Sequence, residues 1–466
     1  MDFNRVNYNI DIIGARFLIA PMNIANIMKI NAIGVIPLFL FPCAAFPSES
    51  YDYVWSGTSD GDFKWLSPSN WSPNGTPAEG NSVYIETTTG SGLAANSLDL
   101  GGGASVGGVT WVISAQTQRL YSGGALNAEN FTAVVNANGW QQYCFGSALN
   151  VSKGDGTGRL LMLNYEKFDY SVIKFLANAV ISADNIEIGS FNAWSGSISF
   201  GLGWNGGGSA SAPIVKASGE MKIGNGAVFD ASSSNAYVEF GGINGLGTVR
   251  SGGKSLNIKL AGRGDYEYGG VSDFSGGGGV YVAMDSAGSQ KFTNSGFNLS
   301  GLALLNGRLE IAGSAGDVSL SGGALSSLEN GSSGDVLNMS SLSWSGGKIS
   351  LDLDAEMADS VSVGGDFSTS GSGELVFDLH FDDLVMREAL ESSDDGKISW
   401  EVVSVAGTSD ISNGNFAFED GYGTFYYAFE GGVLTISLNP IPEPALCAAF
   451  LALMAAGVVF RRALRR

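Results

Sequence analysis

The residue types that carry most enzymatic chemistry are scarce in this chain. Its 466 residues include one histidine, His380, and three cysteines, Cys43, Cys144 and Cys447. His380 follows Asp378 and precedes Asp382, a spacing that suits a general base oriented by carboxylates. With no second histidine and no nucleophile motif, it reads as part of a solvated strand face. Asp352 with Asp354, and Asp382 with Asp383, supply paired carboxylates of the kind that cleave glycosides, but no surrounding pattern assigns them roles. Asp60-Gly61-Asp62 and Asp394-Asp395-Gly396 offer oxygen ligands for calcium without the spacing of a calcium loop, so both read as turns. Residues 276–279 are four glycines without the lysine and helix of a phosphate loop. Asn130-Phe131-Thr132, Asn150-Val151-Ser152 and Asn338-Met339-Ser340 have the form of glycosylation sequons, which an Asn- and Ser-rich chain produces by chance. The sequence therefore nominates no catalytic residue, no metal ligand and no cofactor, and the chain is not expected to be an enzyme.

Composition narrows the class. Glycine contributes 68 residues, hydrophobic residues 44% and charged residues only 15%. That hydrophobic share argues against disorder over the whole chain. The net charge of −21 argues against a nucleic-acid partner, which requires a basic face.

Between residues 51 and 439 the recurring signal is alternation over four to seven residues, interrupted by Gly, Ser, Asn and Asp. Ile198, Phe200, Leu202 and Trp204 alternate with small residues, as do Leu256, Ile258 and Leu260 with polar ones. Ile349, Leu351 and Leu353, then Leu375, Phe377, Leu379 and Phe381, follow the same rule. One short helix is expected around residues 382–390. A closing hairpin is expected over residues 425–438, turning at Glu430-Gly431-Gly432. Ser251-Gly252-Gly253-Lys254 and Ser345-Gly346-Gly347-Lys348 each precede an alternating run, as imperfect repeat units would. The expected fold is all-β: an elongated right-handed β-helix or β-solenoid-like body, with an N-terminal Trp-rich cap and a single C-terminal transmembrane helix. The alternative is one or more β-sandwich domains.

The two ends suggest a destination. Met28-Lys29 precedes the apolar run 33–41, and Cys43-Ala44-Ala45 follows with small residues for cleavage; residues 1–45 read as a signal peptide with an N-terminal extension. The far end begins with Pro442, Glu443 and Pro444. An uncharged segment follows at 445–460, including Ala445, Leu446, Phe450, Leu451, Leu453, Val458, Val459 and Phe460. Sixteen residues of helix reach about 24 Å, so snorkelling by the basic residues that follow must complete a span. Those residues are Arg461, Arg462, Arg465 and Arg466, which the positive-inside rule keeps cytoplasmic. The body then lies across the membrane. Without residues 1–45 and 441–466 it has 17 basic and 42 acidic residues, and Cys144 alone remains, so no internal disulfide can form.

This three-part tail resembles the PEP-CTERM sorting signal of Gram-negative bacteria over about the last 27 residues. The resemblance implies recognition of Pro442, Glu443 and Pro444 by an exosortase-type processing enzyme after export by the Sec machinery. It also implies transient anchoring in the inner membrane, delivery to the cell surface or extracellular matrix, and exopolysaccharide as a partner. A second resemblance concerns the body. Trp55-Ser56-Gly57, Trp65, Asn70-Trp71, Gly75-Thr76-Pro77 and Val83-Tyr84-Ile85 are similar to the N-terminal cap of autotransporter-like, repeat-rich surface proteins. Trp344-Ser345-Gly346-Gly347 and the stretch 358–366 are similar to their last passenger coils. No translocator barrel follows Leu438, and the PEP-type tail stands in its place. The resulting division is signal and extension at 1–45, Trp-rich cap strands at 46–90, Gly-rich body at 91–439 and sorting signal at 440–466. The expected function is that of an exported structural or adhesive protein of the cell surface or matrix. An extracellular β-helix polysaccharide lyase or glycosidase, or a carbohydrate-binding protein built on coplanar exposed tryptophans, is the alternative.

Overall fold

The computed structural model describes residues 9–12, 15–18 and 50–439, apart from 58–62, 88–96, 115–119, 136–140, 146–147, 165–170, 177–178, 191–197, 205–212, 329–332, 371–374, 394–396, 411–415 and 420–423. Residues 1–50 and 51–466 are separate units. In the first, strands Asn9–Ile12 and Ala15–Leu18 form an antiparallel hairpin. The apolar run at 33–41 lies outside the described residues.

Among its described residues the second unit is nearly all β, as the period-two alternation predicts. Its organisation rests on which strand pairs with which. Residues 236–240 of strand Ala236–Gly245 belong to one stack of strands (stack A) and residues 242–245 to a second (stack B). The chain then enters a third stack (C) as Thr248–Arg250 and returns to stack A as Ser255–Leu260. Each strand pairs in parallel with its counterpart in the next pass. Among the described residues stack C has six strands, from Gln141–Phe145 to Val271–Asp273.

The register places like residues on like. Along stack A, Leu126, Leu149, Ile181, Val215, Val238 and Ile258 pair in sequence. The column continues through Val282, Leu302, Val318, Leu342 and Phe367. All eleven are buried. In stack B, Ile85, Trp111, Ala133, Met162, Ile188 and Ile223 do the same, and Tyr268, Phe292 and Ile311 follow after Gly245. Gly245 holds its place because its φ is +106° and a Cβ there would lie 2.1 Å from the Ile223 carbonyl oxygen. Between the inward positions, charges alternate across passes. Lys216 and Lys259 flank Glu239 at 3.1 and 3.6 Å, and Arg250 reaches Asp230 and Asp273 at 3.7 and 2.8 Å. Equivalent positions lie one strand spacing apart, so like charges there would repel.

Between strands, antiparallel pairing among the described residues of this unit is confined to its two ends. Tyr53–Trp55 pairs with Trp71–Ser72, and Thr424–Glu430 with Val433–Asn439, which also lies antiparallel against Ile398–Val405. The expected hairpin is thus present, with Gly431 and Gly432 at positive φ in its turn. A sandwich is antiparallel throughout, and these residues do not form one. The expected helix is also present: α1 (Asp383–Ser392), with Asp382 as N-cap.

At the first end, Trp65 and Trp71 are buried, and Trp55, Trp65 and Tyr53 all meet the Trp71 ring edge-on, at centroid distances of 5.1, 4.9 and 6.4 Å. The Trp71 indole N–H donates to the Trp65 carbonyl at 2.8 Å. Two of the three tryptophans are buried and the rings stand edge to face, so the coplanar exposed rings that the carbohydrate-binding alternative requires are not present. Strand Ser82–Thr87 carries the pairing onward to residues 108–113.

One side chain repairs a gap in the ladder. Strand Asp265–Tyr268 pairs with Ala236–Gly245 only at Gly245–Tyr268, leaving Ile243 without a strand partner on that side. Buried Gln290, from the pass beyond, accepts from the Ile243 N–H and donates to its carbonyl, both at 2.9 Å. Gln290→Leu strands both groups and is expected to lower unfolding stability by roughly 1–3 kcal/mol, read by urea titration; an unchanged midpoint contradicts this assignment.

Candidate functional site

A cleft forms where stack B meets α1. Strands Lys348–Asp352 and Leu375–His380 lie parallel, with Asp352 opposite His380. The chain then leaves the sheet, and the Asp382 carboxylate caps α1, its Oδ1 accepting from the Leu384 and Val385 amides at 2.9 and 3.1 Å. Met386 and Leu390 bury the inner side of the helix. The cleft has a volume of about 600 Å³, and its walls include Ser333, Asp352, Asp354, His380, Phe381 and Asp382.

The sole histidine stands between two carboxylates. Its Nδ1 lies 3.4 Å from Asp352 Oδ1 and its Nε2 3.4 Å from Asp378 Oδ1. Asp378 was the expected neighbour; Asp352, 28 residues away, is brought in by register. Burial raises the Asp352 carboxyl above its ordinary value, and the Asp359 carboxylate behind it adds to the effect, against the opposing pull of His380. Asp359 is itself 1% exposed and accepts from Ser327 Oγ at 2.7 Å and the Asp335 amide at 2.9 Å. Burial also pushes Asp354 up. There the Ser333 hydroxyl and the amides of Met357 and Glu356 prevail and hold it below the carboxylate range.

This division of labour sets the chemistry. Asp352 and His380 can share or exchange a proton. Cleavage of a glycoside needs in addition a second carboxylate free to act as base or nucleophile. Asp354 is occupied in forming its own turn, and Asp382 in capping α1. The described lining contains no Arg or Lys. Asp359, Ser333 and the Asp352–His380 pairing were not evident from the sequence, because alternation marks which residues face inward but not which passes lie side by side.

Other residues weighed above fall elsewhere. Among the described residues, no cluster of His, Cys, Asp and Glu is arranged to hold a metal ion. Asp60-Gly61-Asp62 and Asp394-Asp395-Gly396 lie outside the described residues. Pro442, Glu443 and Pro444, the apolar segment after them and the terminal arginines lie outside them entirely. Among the described residues no helix is long and apolar enough to cross a membrane. Comparison with protein-family models, curated proteins and solved structures returns no match.

The electrostatics predict a pH signature. A carboxyl held above its unfolded value of 3.8 binds its proton more tightly in the folded state. Its stabilising contribution is full below that pH and is lost as pH rises through the folded value. Asp352→Asn is therefore expected to melt higher than the parent at pH 7, with the difference vanishing below pH 3.8. Calorimetry across that range tests this, and a variant that melts lower at neutral pH contradicts it.

Proposed function

We propose that the chain is an exported structural or adhesive protein of the cell surface or extracellular matrix. Its body is a β-solenoid in which each pass through the stacks is one coil. The coils are right-handed, as connections between parallel strands of one sheet almost always are. The Trp-rich segment covers the first coil, and the antiparallel hairpin closes the last. The observation that carries the reading is the eleven-residue buried column of stack A, which runs through pass after pass without a break. A ladder of this kind presents a long, repetitive outer face without requiring a reaction centre.

Export and sorting rest on the ends of the sequence. The apolar run at 33–41 serves the Sec machinery. Pro442, Glu443 and Pro444 serve an exosortase-type enzyme, while residues 445–460 and the terminal arginines hold the chain in the inner membrane during processing. The excess of acidic residues keeps the exposed body dispersed.

The rival reading, an extracellular carbohydrate-active enzyme, is favoured by one observation, the Asp352–His380 pairing in a cleft. The commitment of Asp354 and Asp382 to local structure weighs against it. Incubation of the purified chain with the host exopolysaccharide is expected to leave polymer length unchanged; a shortened polymer whose production stops in Asp352→Asn establishes the rival.

Cell fractionation with an antibody to the body tests the destination. The parent chain is expected at the surface or in the matrix. A variant with alanine at Pro442, Glu443 and Pro444 is expected in the inner membrane, still carrying Arg466. Intact parent chain in the cytosol contradicts the proposal.

A further inference from the structure

The outer face of stack A carries a groove with no occupant assigned so far. In register, Tyr237 faces Asn257, Asn257 faces Tyr281, Tyr281 faces Gly301 and Gly301 faces Asp317. These five share one outward column, because the residues directly after them, Val238 to Val318, form the buried one. Tyr237 is 52% exposed and Tyr281 40%. The groove at these rings has a volume of about 380 Å³, with Ala283 and Ala303 among its lining.

Tyr281 is held in place by what its neighbours lack. A Cβ on Gly301 would lie 2.8 Å from the ring's Cδ1, and one on Gly279 2.9 Å from its Cε2. The ring therefore rests on bare backbone of its own strand and of the next pass. A tyrosine fixed in this way offers a large amphipathic contact with little left to order on binding.

Two observations select the occupant. The backbone beneath the groove is paired to a strand on each side, so an extended peptide finds no free edge to join. Charge excludes a polyanion: the chain carries −21, and Asp317 is the ionic group of the described lining. The nearby bases Lys216 and Lys259 are both paired with Glu239. What complements such a surface is a neutral polymer with flat C–H faces and hydroxyl edges. The tyrosines stand two strand spacings apart, about 9.6 Å. That is close to the repeat at which a two-fold, β-linked hexose chain shows the same sugar face.

We propose that this groove binds an extended, uncharged polysaccharide laid across the strands. Sugar faces rest on Tyr237 and Tyr281. Hydroxyls meet the Asn257 amide and the carboxylate of Asp317, whose Oδ1 already accepts from Ser341 at 2.7 Å. The inference deepens the surface-scaffold reading and rests on it for its cellular setting.

The test is affinity electrophoresis of the full-length chain in native detergent gels containing hydroxyethyl cellulose, with alginate gels as the polyanionic arm. Retardation is expected in hydroxyethyl cellulose and not in alginate. Tyr237→Ala and Tyr281→Ala should each weaken it roughly tenfold. Tyr281→Phe should retain binding, and so should Tyr426→Ala, which removes an exposed tyrosine of the C-terminal hairpin. Unchanged circular dichroism of each variant separates lost binding from lost folding. The proposal is overturned by no retardation in hydroxyethyl cellulose, by stronger retardation in alginate, or by full retardation of the Tyr237→Ala/Tyr281→Ala double variant. Mislocalisation in cell fractions would sink the scaffold reading while leaving these gels unaltered, so the two failures are distinguishable.

Discussion

Parallel register is the constraint on which the rest of this molecule depends. Once each strand pairs with its counterpart in the next pass, every side chain lies about 4.8 Å from the side chain at the same position in its neighbours. An apolar residue in the column gains contacts above and below as well as across the core. A polar intruder would be buried among apolar neighbours on both sides. The same geometry governs the outer faces. A negative chain can be stacked this tightly because acids such as Glu239 and Glu187 sit beside bases from adjacent passes, Lys216 and Lys259 in the first case, Arg159 and Lys222 in the second. Exposed pairs of this kind contribute little individually. Their effect is to avoid the repulsion that a column of like charges would impose.

Register also dictates where irregularity is allowed. Passes may differ in length if they return to the same column, and they do: 16 residues separate Leu302 from Val318, and 34 separate Ile181 from Val215. Extra length is accommodated between strands, and the cleft at His380 belongs to such a place, where α1 is inserted between strands Leu375–His380 and Ile398–Val405. The ends of the ladder are the other exceptions. An unpaired terminal strand would recruit further chains. Tryptophans packed edge-on lie at one end and an antiparallel hairpin at the other.

These features were unequally legible in the sequence. Strand identity was visible, because alternation such as Leu256, Ile258, Leu260 is a property of neighbouring residues. The helix after Asp382 and the hairpin at Gly431-Gly432 were visible for the same reason, since a cap and a turn are local. Register was not. With 16 to 34 residues between column neighbours, no fixed period announces that Ile258 stacks on Val238. The candidate sites followed register out of reach. His380 was read with Asp378 and Asp382, its neighbours in the chain; the structure keeps Asp378 beside it, adds Asp352 on the other side and turns Asp382 to capping α1. Tyr237 and Tyr281 carried no signal at all, since only pairing through Asn257 puts them on one line.

The most direct measurement is a series of electron spin–spin distances along one outward column, in a chain freed of its native cysteines. Labels at Lys216→Cys paired with Lys259→Cys, Ala303→Cys or Ser343→Cys are two, four and six register steps apart. Parallel in-register stacking predicts separations that climb by equal increments, to about 29 Å for the six-step pair. Distances that fail to grow with the number of steps would contradict the register and, with it, the account built upon it.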